Sequence, residues 1–116
     1  MDIAIQSLGK VSVIAVSGRI DDGAHLQLRE GLRTMTDAGF SRFVLDLREA
    51  GLLDSLALGE LVGCLKRARE RGGDVRLVVA PEGIVHGMLQ LTRLDHVFQI
   101  FGLLNDARMS FLSGPN

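Results

Sequence analysis

Residues 43–59, FVLDLREAGLLDSLALG, contain the two elements that decide the fold. Residues 43–47 form a short, almost continuous apolar run, which is typical of a strand buried on both faces of a parallel sheet. Asp54 and Ser55 then stand where a helix begins, because both residue types favour its first positions. An apolar stripe at helical spacing continues to Ala68. The stretch therefore predicts a central strand followed by a helix that packs on the sheet.

The segment before this stretch predicts a hairpin and a helix. Isoleucines alternate with polar residues from residue 3, and residues 11–16 are β-branched and apolar, so two strands are expected, the second ending at Gly18. Leucines at helical spacing follow, and Asp21 and Asp22 occupy positions suited to capping that helix.

The segment after it continues the alternation of strands and helices. Buried strands are expected at residues 75–79 and 97–101, and helices at residues 82–93 and 103–111. Strands that alternate with helices predict an α/β fold: a mostly parallel sheet of about five strands, opened by a hairpin, with about four helices packed on it.

Composition fits one small domain in a reducing compartment. The 116 residues are 47% hydrophobic, carry a net charge of -1 and include neither Trp nor Tyr, which disfavours nucleic-acid binding. The N-terminus has no basic segment followed by an apolar run, and no stretch approaches 18 uninterrupted apolar residues, so we expect a cytoplasmic protein without direct membrane insertion. A single domain is expected over residues 1–112, with a frayed end at residues 113–116.

The residues required by common catalytic and metal-binding sites are missing, so we expect no enzyme, no metal and no cofactor. His25, His86 and His96 lie in three separate segments, without a second ligand at helical spacing. Cys64 lies within an apolar helical stripe, which favours a packed thiol over a reactive one. Asp46 has no identifiable catalytic partner, and a strand-end aspartate commonly binds nearby backbone.

Ser55 is the one candidate site residue that remains. It follows Asp54 at a loop-to-helix transition beyond a central strand, where open α/β sheets present functional groups. Helix-terminal N–H groups would stabilise a phosphate there. A simple helix cap explains Asp54 and Ser55 equally well, and their residue types alone do not decide between the two interpretations.

Two glycines share a helical face with Ser55. Gly59 and Gly63 follow it at intervals of four residues. They either let the helix pack closely on the protein's own sheet or form a flat surface for a partner. Because Leu58, Leu61, Val62 and Leu65 already supply a core stripe, we favour partner binding, with Leu56 joining that surface.

Five short sequence anchors, each a motif of a few residues, follow one another between about Val11 and Ala107. They are Gly18-Arg19-Ile20-Asp21, Phe43-Val44-Leu45-Asp46-Leu47, Asp54-Ser55 with Leu58-Gly59, Gly72-Gly73 before a strand, and Leu91-Thr92-Arg93-Leu94 before Val97-Phe98. Their order and spacing resemble a STAS domain, and most closely the bacterial anti-sigma factor antagonists.

The resemblance implies a fold and a function. It implies helices mainly on one side of the sheet and a non-enzymatic regulator that binds an anti-sigma factor. That partner is also a serine kinase with a histidine-kinase-like ATPase fold. Phosphorylation of Ser55 would end binding, a serine phosphatase would reset it, and Asp54 and Asp21 would flank the site.

The chain differs from the common Asp-Ser-Ser/Thr-Gly-Leu/Ile-Gly motif at two positions. Ala57 replaces glycine, which raises helix propensity. Leu56 replaces the second hydroxyl residue, which changes the surface that a kinase must fit. STAS domains also serve as cytoplasmic subunits of lipid-transport ATPases and other membrane transport assemblies, and this is the alternative function. Neighbouring kinase and phosphatase genes would favour the switch, and permease and ATPase genes the alternative.

Overall fold

A computed structural model describes residues 1–112, so the end expected to fray lies outside the described residues. Six strands, four α-helices and one 3-10 turn occur in this part of the chain. In chain order they are β1 (Asp2–Leu8), β2 (Val11–Ile20), α1 (Ala24–Asp37), β3 (Arg42–Asp46), β4 (Ala50–Leu53), α2 (Ser55–Glu70), β5 (Asp74–Val78), α3 (Ile84–Leu91), the 3-10 turn (Leu94–His96), β6 (Gln99–Phe101) and α4 (Leu104–Ser110).

The strands form one mixed sheet in the order β1-β2-β3-β5-β6. Strand β1 runs antiparallel to β2, and every other pairing is parallel. The ten-residue β2 has two partners on one side, because its first half pairs with β3 and its last residues pair with β4. The α/β fold with an opening hairpin is confirmed.

Helices cover the two faces of the sheet unequally. The larger core lies under α1, α2 and α3, while α4 covers the other face with a smaller cluster. Strand β3 contributes to both, because Phe43 and Leu45 face the larger core and Val44 the smaller one. The central strand is therefore buried on both faces, as its apolar run predicts, and the helices lie mainly on one side.

Strand β4 is absent from the expected elements, and two other predictions at this end of the sheet are wrong. Gly18 does not end β2, because the strand passes through an irregularity between Gly18 and Arg19 and continues to Ile20. Nor do Asp21 and Asp22 cap α1. Gly23 is the capping residue, and α1 has no side-chain cap.

The backbone geometry before α1 explains why neither aspartate caps this helix. Asp22 and Gly23 both have positive φ, at 50° and 88°, so the chain makes a tight turn before α1. The backbone N–H of Ala24 donates to the Asp21 carbonyl at 3.0 Å and closes that turn. Neither aspartate side chain reaches the first N–H groups of α1.

Gly73, between α2 and β5, has no room for a side chain. A Cβ atom there would overlap the Ser41 carbonyl, which already accepts the backbone N–H of Asp74 at 3.0 Å. We expect Gly73→Ala to lower the free energy of unfolding by about 2 kcal/mol, because the backbone must shift. Gly87→Ala in α3, where a Cβ meets no atom within 4 Å, should raise it by up to about 1 kcal/mol. Urea unfolding tests both, and equal stabilities would contradict the packing described at Gly73.

Candidate functional site

The carboxyl ends of β2 and β4 bring the predicted site residues together. Ile20 pairs with Leu53, and the backbone N–H of Asp54 donates to the Ile20 carbonyl at 3.0 Å. Asp21 and Asp54 therefore follow the ends of two neighbouring parallel strands. Ser55 is the next residue and the first of α2. Although 33 positions separate them in sequence, Asp21 and Asp54 lie at the same edge of the sheet, because neighbouring parallel strands end there.

Asp54, and not Ser55, caps helix α2. Its Oδ1 accepts the backbone N–H of Ala57 at 2.9 Å, which satisfies one of the free donors of the first turn. The Ser55 side chain is exposed, and its hydroxyl makes no hydrogen bond with any residue from 1 to 112. The two interpretations therefore apply to different residues. Asp54 caps the helix, and the exposed hydroxyl of Ser55 remains available to accept a phosphate.

Asp21 is held by an ion pair at the same edge. Its Oδ2 accepts hydrogen bonds from Nε and Nη2 of Arg19 at 3.0 and 2.8 Å. The arginine side chain is 71% exposed, so water screens this pair and it contributes little to stability. The carboxylates of Asp21 and Asp54 both accept hydrogen bonds at this edge, and they place negative charge near Ser55 before any modification.

Leu56 projects into solvent beside Ser55, with 57% of its surface exposed. Leu26, in the first turn of α1, is 54% exposed at the same end of the molecule. The sequence pattern does not single out Leu26, although its position off the buried stripe of α1 is a usable signal. Two exposed leucines at neighbouring helix starts give this end an apolar character that its aspartates alone would not.

Gly59 and Gly63 lie on the outer side of α2. A Cβ at Gly59 would meet no atom within 4 Å, and the nearest atoms to one at Gly63 belong to the guanidinium of Arg67, the first of them at 3.2 Å. Neither glycine is therefore needed for close packing on the sheet. Val62, expected in the core stripe, is 38% exposed and also faces outward. The outer face of α2 is open from Ser55 through Gly59.

An ion pair joins α1 to α2 below the site. Arg29 donates from Nε to Oε1 of Glu60 at 2.9 Å, and Nη2 lies 2.7 Å from the same oxygen. Hydrogen bonding from Arg29 holds the pKa of Glu60 below its ordinary value. The contact links the second turn of α1 to the second turn of α2.

Asp46 and Cys64, two other residues considered in the sequence, have environments that serve the fold and not a reaction. Burial opposes ionisation of Asp46, but hydrogen bonds from the Arg48 side chain and backbone outweigh it and keep its pKa below the usual value. Burial raises the pKa of the Cys64 thiol to about 11, which fits a packed cysteine.

Within residues 1–112 no group of three metal-ligating side chains comes together. Over the same residues, no helix combines the length and apolarity that crossing a membrane requires.

Comparison with known proteins identifies the class to which this fold and site belong. The sequence model of the family described as "Mlab, STAS domain" matches residues 3–105. The chain therefore belongs to the STAS domain family, as its five sequence anchors indicate.

Individual relatives span most of the chain. A Thermotoga maritima protein, provisionally named an anti-sigma factor antagonist, is 30% identical over 74% of this chain and 75% of its own. A STAS-domain containing protein of Pseudomonas aeruginosa is 34% identical over 79% and 89%.

Among solved structures, the anti-sigma factor antagonist SpoIIAA in its unphosphorylated form shares the fold. The TM-score is 0.82 at 17% identity, covering 99% of this chain and all of SpoIIAA. The phosphorylated form of SpoIIAA from Bacillus gives a TM-score of 0.73 at the same identity, over 95% and 99%.

The capping bond of Asp54 makes a direct prediction about stability. Asp54→Ala should lower the free energy of unfolding by about 1 kcal/mol, because the Ala57 N–H loses its acceptor. Asp54→Asn keeps an acceptor oxygen without the charge and should stay within about 0.5 kcal/mol of the wild type. Thermal or urea unfolding measures both variants. Equal losses in the two variants would mean that the charge, not the capping bond, stabilises the start of α2.

Proposed function

We propose that this chain is an anti-sigma factor antagonist whose binding is switched off by phosphorylation of Ser55. The observation that carries the proposal is the exposed, unbonded hydroxyl of Ser55 at the start of α2, with the capping role taken by Asp54. The name of the Thermotoga relative supports the antagonist role. SpoIIAA, an antagonist with this fold, has been solved with and without a phosphate, which supports a switch.

Phosphoryl transfer to Ser55 is chemically reasonable at this position. The Ser55 oxygen would take the terminal phosphoryl group of a nucleoside triphosphate held by the partner kinase, lose its proton, and release the diphosphate. The dipole and free N–H groups at the start of α2 tolerate the added anion. Because the chain supplies only the acceptor, it is a substrate and a binding module, not an enzyme.

The same phosphate opposes docking. It adds about two negative charges beside Asp54 and near Asp21. A partner surface that accepts the unmodified site would then have to bury these charges without an added cation, which is costly. The unphosphorylated chain therefore binds its partner and the phosphorylated chain does not.

The partner that fits is an anti-sigma factor that is also a serine kinase with a histidine-kinase-like ATPase fold. Binding the unphosphorylated chain would make that partner release its sigma factor or another client in the cytoplasm. A serine phosphatase would restore the hydroxyl. Leu56 requires an apolar recess on the kinase, and Gly59 and Gly63 offer the flat helix surface against which such a partner packs.

The alternative, a cytoplasmic subunit of a lipid-transport ATPase or another membrane transport assembly, gives the exposed hydroxyl no role. It would leave the chain unphosphorylated at Ser55 and bound to a transport protein. Identification of the proteins that co-purify with the chain from its own organism distinguishes the two functions.

Charge at Ser55 should control partner affinity. We expect Ser55→Asp to weaken binding of the captured anti-sigma factor at least tenfold, about 1.4 kcal/mol, because it imitates part of the phosphate charge. Ser55→Ala should bind like the wild type and resist inactivation by the kinase. Binding isotherms measure the affinities, and phosphate incorporation measures the modification.

Stability provides the control for this pair of variants. Because Asp54 is the cap, Ser55→Ala should change the free energy of unfolding by less than about 0.5 kcal/mol. The proposed switch is contradicted if Ser55→Asp binds the partner like the wild type, or if the kinase modifies Ser55→Ala.

Substitutions on the outer face of α2 should leave the fold stable but should weaken partner binding. Gly63→Gln should leave the fold intact, because only the flexible Arg67 side chain must move, and should weaken partner binding several-fold. Gly87→Gln in α3 is the control for a long side chain added at a helix glycine away from this face, since a Cβ at Gly87 meets no atom within 4 Å. Calorimetry with the partner checks both. A marked loss of thermal stability in Gly63→Gln would place this glycine in internal packing instead.

A further inference from the structure

The amino-terminal edge of the sheet, opposite the end with Ser55, is lined by basic side chains. Strands β2, β3, β5 and β6 all begin there because they run parallel. Two neighbouring cavities of about 420 and 380 Å³ open at this edge, and Arg42 lines both. The other charged side chains that line them are Lys10, Arg69, Arg71, Arg76 and a single carboxylate, Asp74. A chain with a net charge of -1 thus concentrates positive charge at one end.

The carboxylate of Asp74 accepts hydrogen bonds from two of these arginines. Asp74 is 8% exposed and accepts from Nε of Arg69 at 3.1 Å and from Nε of Arg76 at 3.0 Å. Arg76 also donates to the Ser110 hydroxyl at 2.8 Å, and its guanidinium lies 3.9 Å from the centre of the Phe111 ring. Arg69 and Arg76 are therefore held in place by the protein and serve the fold.

Lys10 and Arg42 have no such partner. Neither forms an ion pair or a side-chain hydrogen bond with residues 1–112, and Arg42 is partly buried. Arg71 uses one guanidinium nitrogen to donate to the Thr36 carbonyl near the end of α1, at 3.2 Å. No acidic residue lines the larger cavity. Three cations therefore face one concave space, and two of them are unpaired within the described chain.

Backbone geometry also opens this cavity to a ligand. Gly39 and Gly72 line it with φ of 97° and 79°, and at neither position would a Cβ meet an atom within 4 Å. They leave the walls without side chains, so a ligand can approach the main chain closely. A volume of about 420 Å³ lies within the range of small-molecule sites.

We propose that this cavity binds a small anion that carries two or three linked phosphates, with Arg42 and Lys10 as its main contacts. A guanidinium presents paired N–H donors that match phosphate oxygens, and a lysine adds a mobile point charge. Free oligophosphates and anionic lipid headgroups share this chemistry. The cavity is a recess that is partly open to solvent, and this shape favours the free ligand, because a flat membrane surface would not reach into a recess.

This site is independent of the proposed switch. The ten residues of β2 separate the two ends of the sheet by roughly 30 Å at about 3.3 Å per residue. Charge changes at Ser55 should therefore leave anion binding intact, and changes at Arg42 should leave partner binding intact. Failure of one proposal does not imply failure of the other.

Calorimetric titration of the full chain with inorganic tripolyphosphate at low salt tests the proposal. We expect saturable binding at one site, weakened about tenfold by Arg42→Gln and several-fold by Lys10→Gln. Arg19→Gln, which removes the same charge at the opposite end, is the matched control and should bind like the wild type. Thermal unfolding checks that each variant folds, and Lys10→Gln carries the test alone if Arg42→Gln does not fold.

A second arm separates the two sources of phosphate. Sedimentation with vesicles of phosphatidylglycerol, against vesicles of phosphatidylcholine, reports any attraction to an anionic membrane. The proposal expects tripolyphosphate binding without vesicle binding. It is overturned if tripolyphosphate does not bind, if Arg19→Gln weakens binding as much as Arg42→Gln, or if only the anionic vesicles are bound.

Discussion

The site depends on the way in which Asp54 joins the sheet to helix α2. Its backbone N–H donates to the Ile20 carbonyl, and its carboxylate accepts the Ala57 N–H. The first bond fixes Asp54 at the end of β2, and the second fixes the direction in which α2 leaves. Because one residue makes both bonds, Ser55 is left with an exposed hydroxyl that the fold does not use. The candidate site is a consequence of this division of roles.

The parts of the fold that depend on local pattern could be predicted from the sequence. The apolar run at residues 43–47 predicts a strand buried on both faces, and Asp54-Ser55 predicts the start of α2. The prediction that Cys64 is packed is confirmed, because helical spacing places it among buried leucines. These features depend on short-range periodicity, which a single sequence carries well.

The parts that depend on distant partners could not be predicted. Strand β4 has four residues and is defined by pairing with the end of β2, which no local pattern reveals. Asp21 looks like a helix cap in sequence, but the positive φ of Gly23 turns the chain away and leaves the carboxylate to Arg19. The unpaired state of Arg42 is likewise visible only when the strand starts are assembled into one edge.

The two ends of the sheet differ in the sign of their excess charge, and the parallel strands gather each group of charged side chains at one edge. Residues that follow the strands, Asp21, Asp22 and Asp54, lie at one edge, while Lys10, just before β2, and Arg42, the first residue of β3, lie at the other. Asp54 at the start of α2 and arginines near its end also complement the helix dipole. This charge distribution stabilises the start of α2 at the acidic edge and leaves Lys10 and Arg42 unpaired, within the described residues, at the basic edge.

The central claim is that a phosphate on Ser55 is what separates the bound from the free state. The most direct measurement compares the affinity of the captured anti-sigma factor for two preparations of the same wild-type chain, one unmodified and one phosphorylated, with the modified residue located by mass spectrometry. The account predicts modification at Ser55 and an affinity at least about tenfold lower for the phosphorylated chain. Equal affinities, or a phosphate located at another residue, would contradict it.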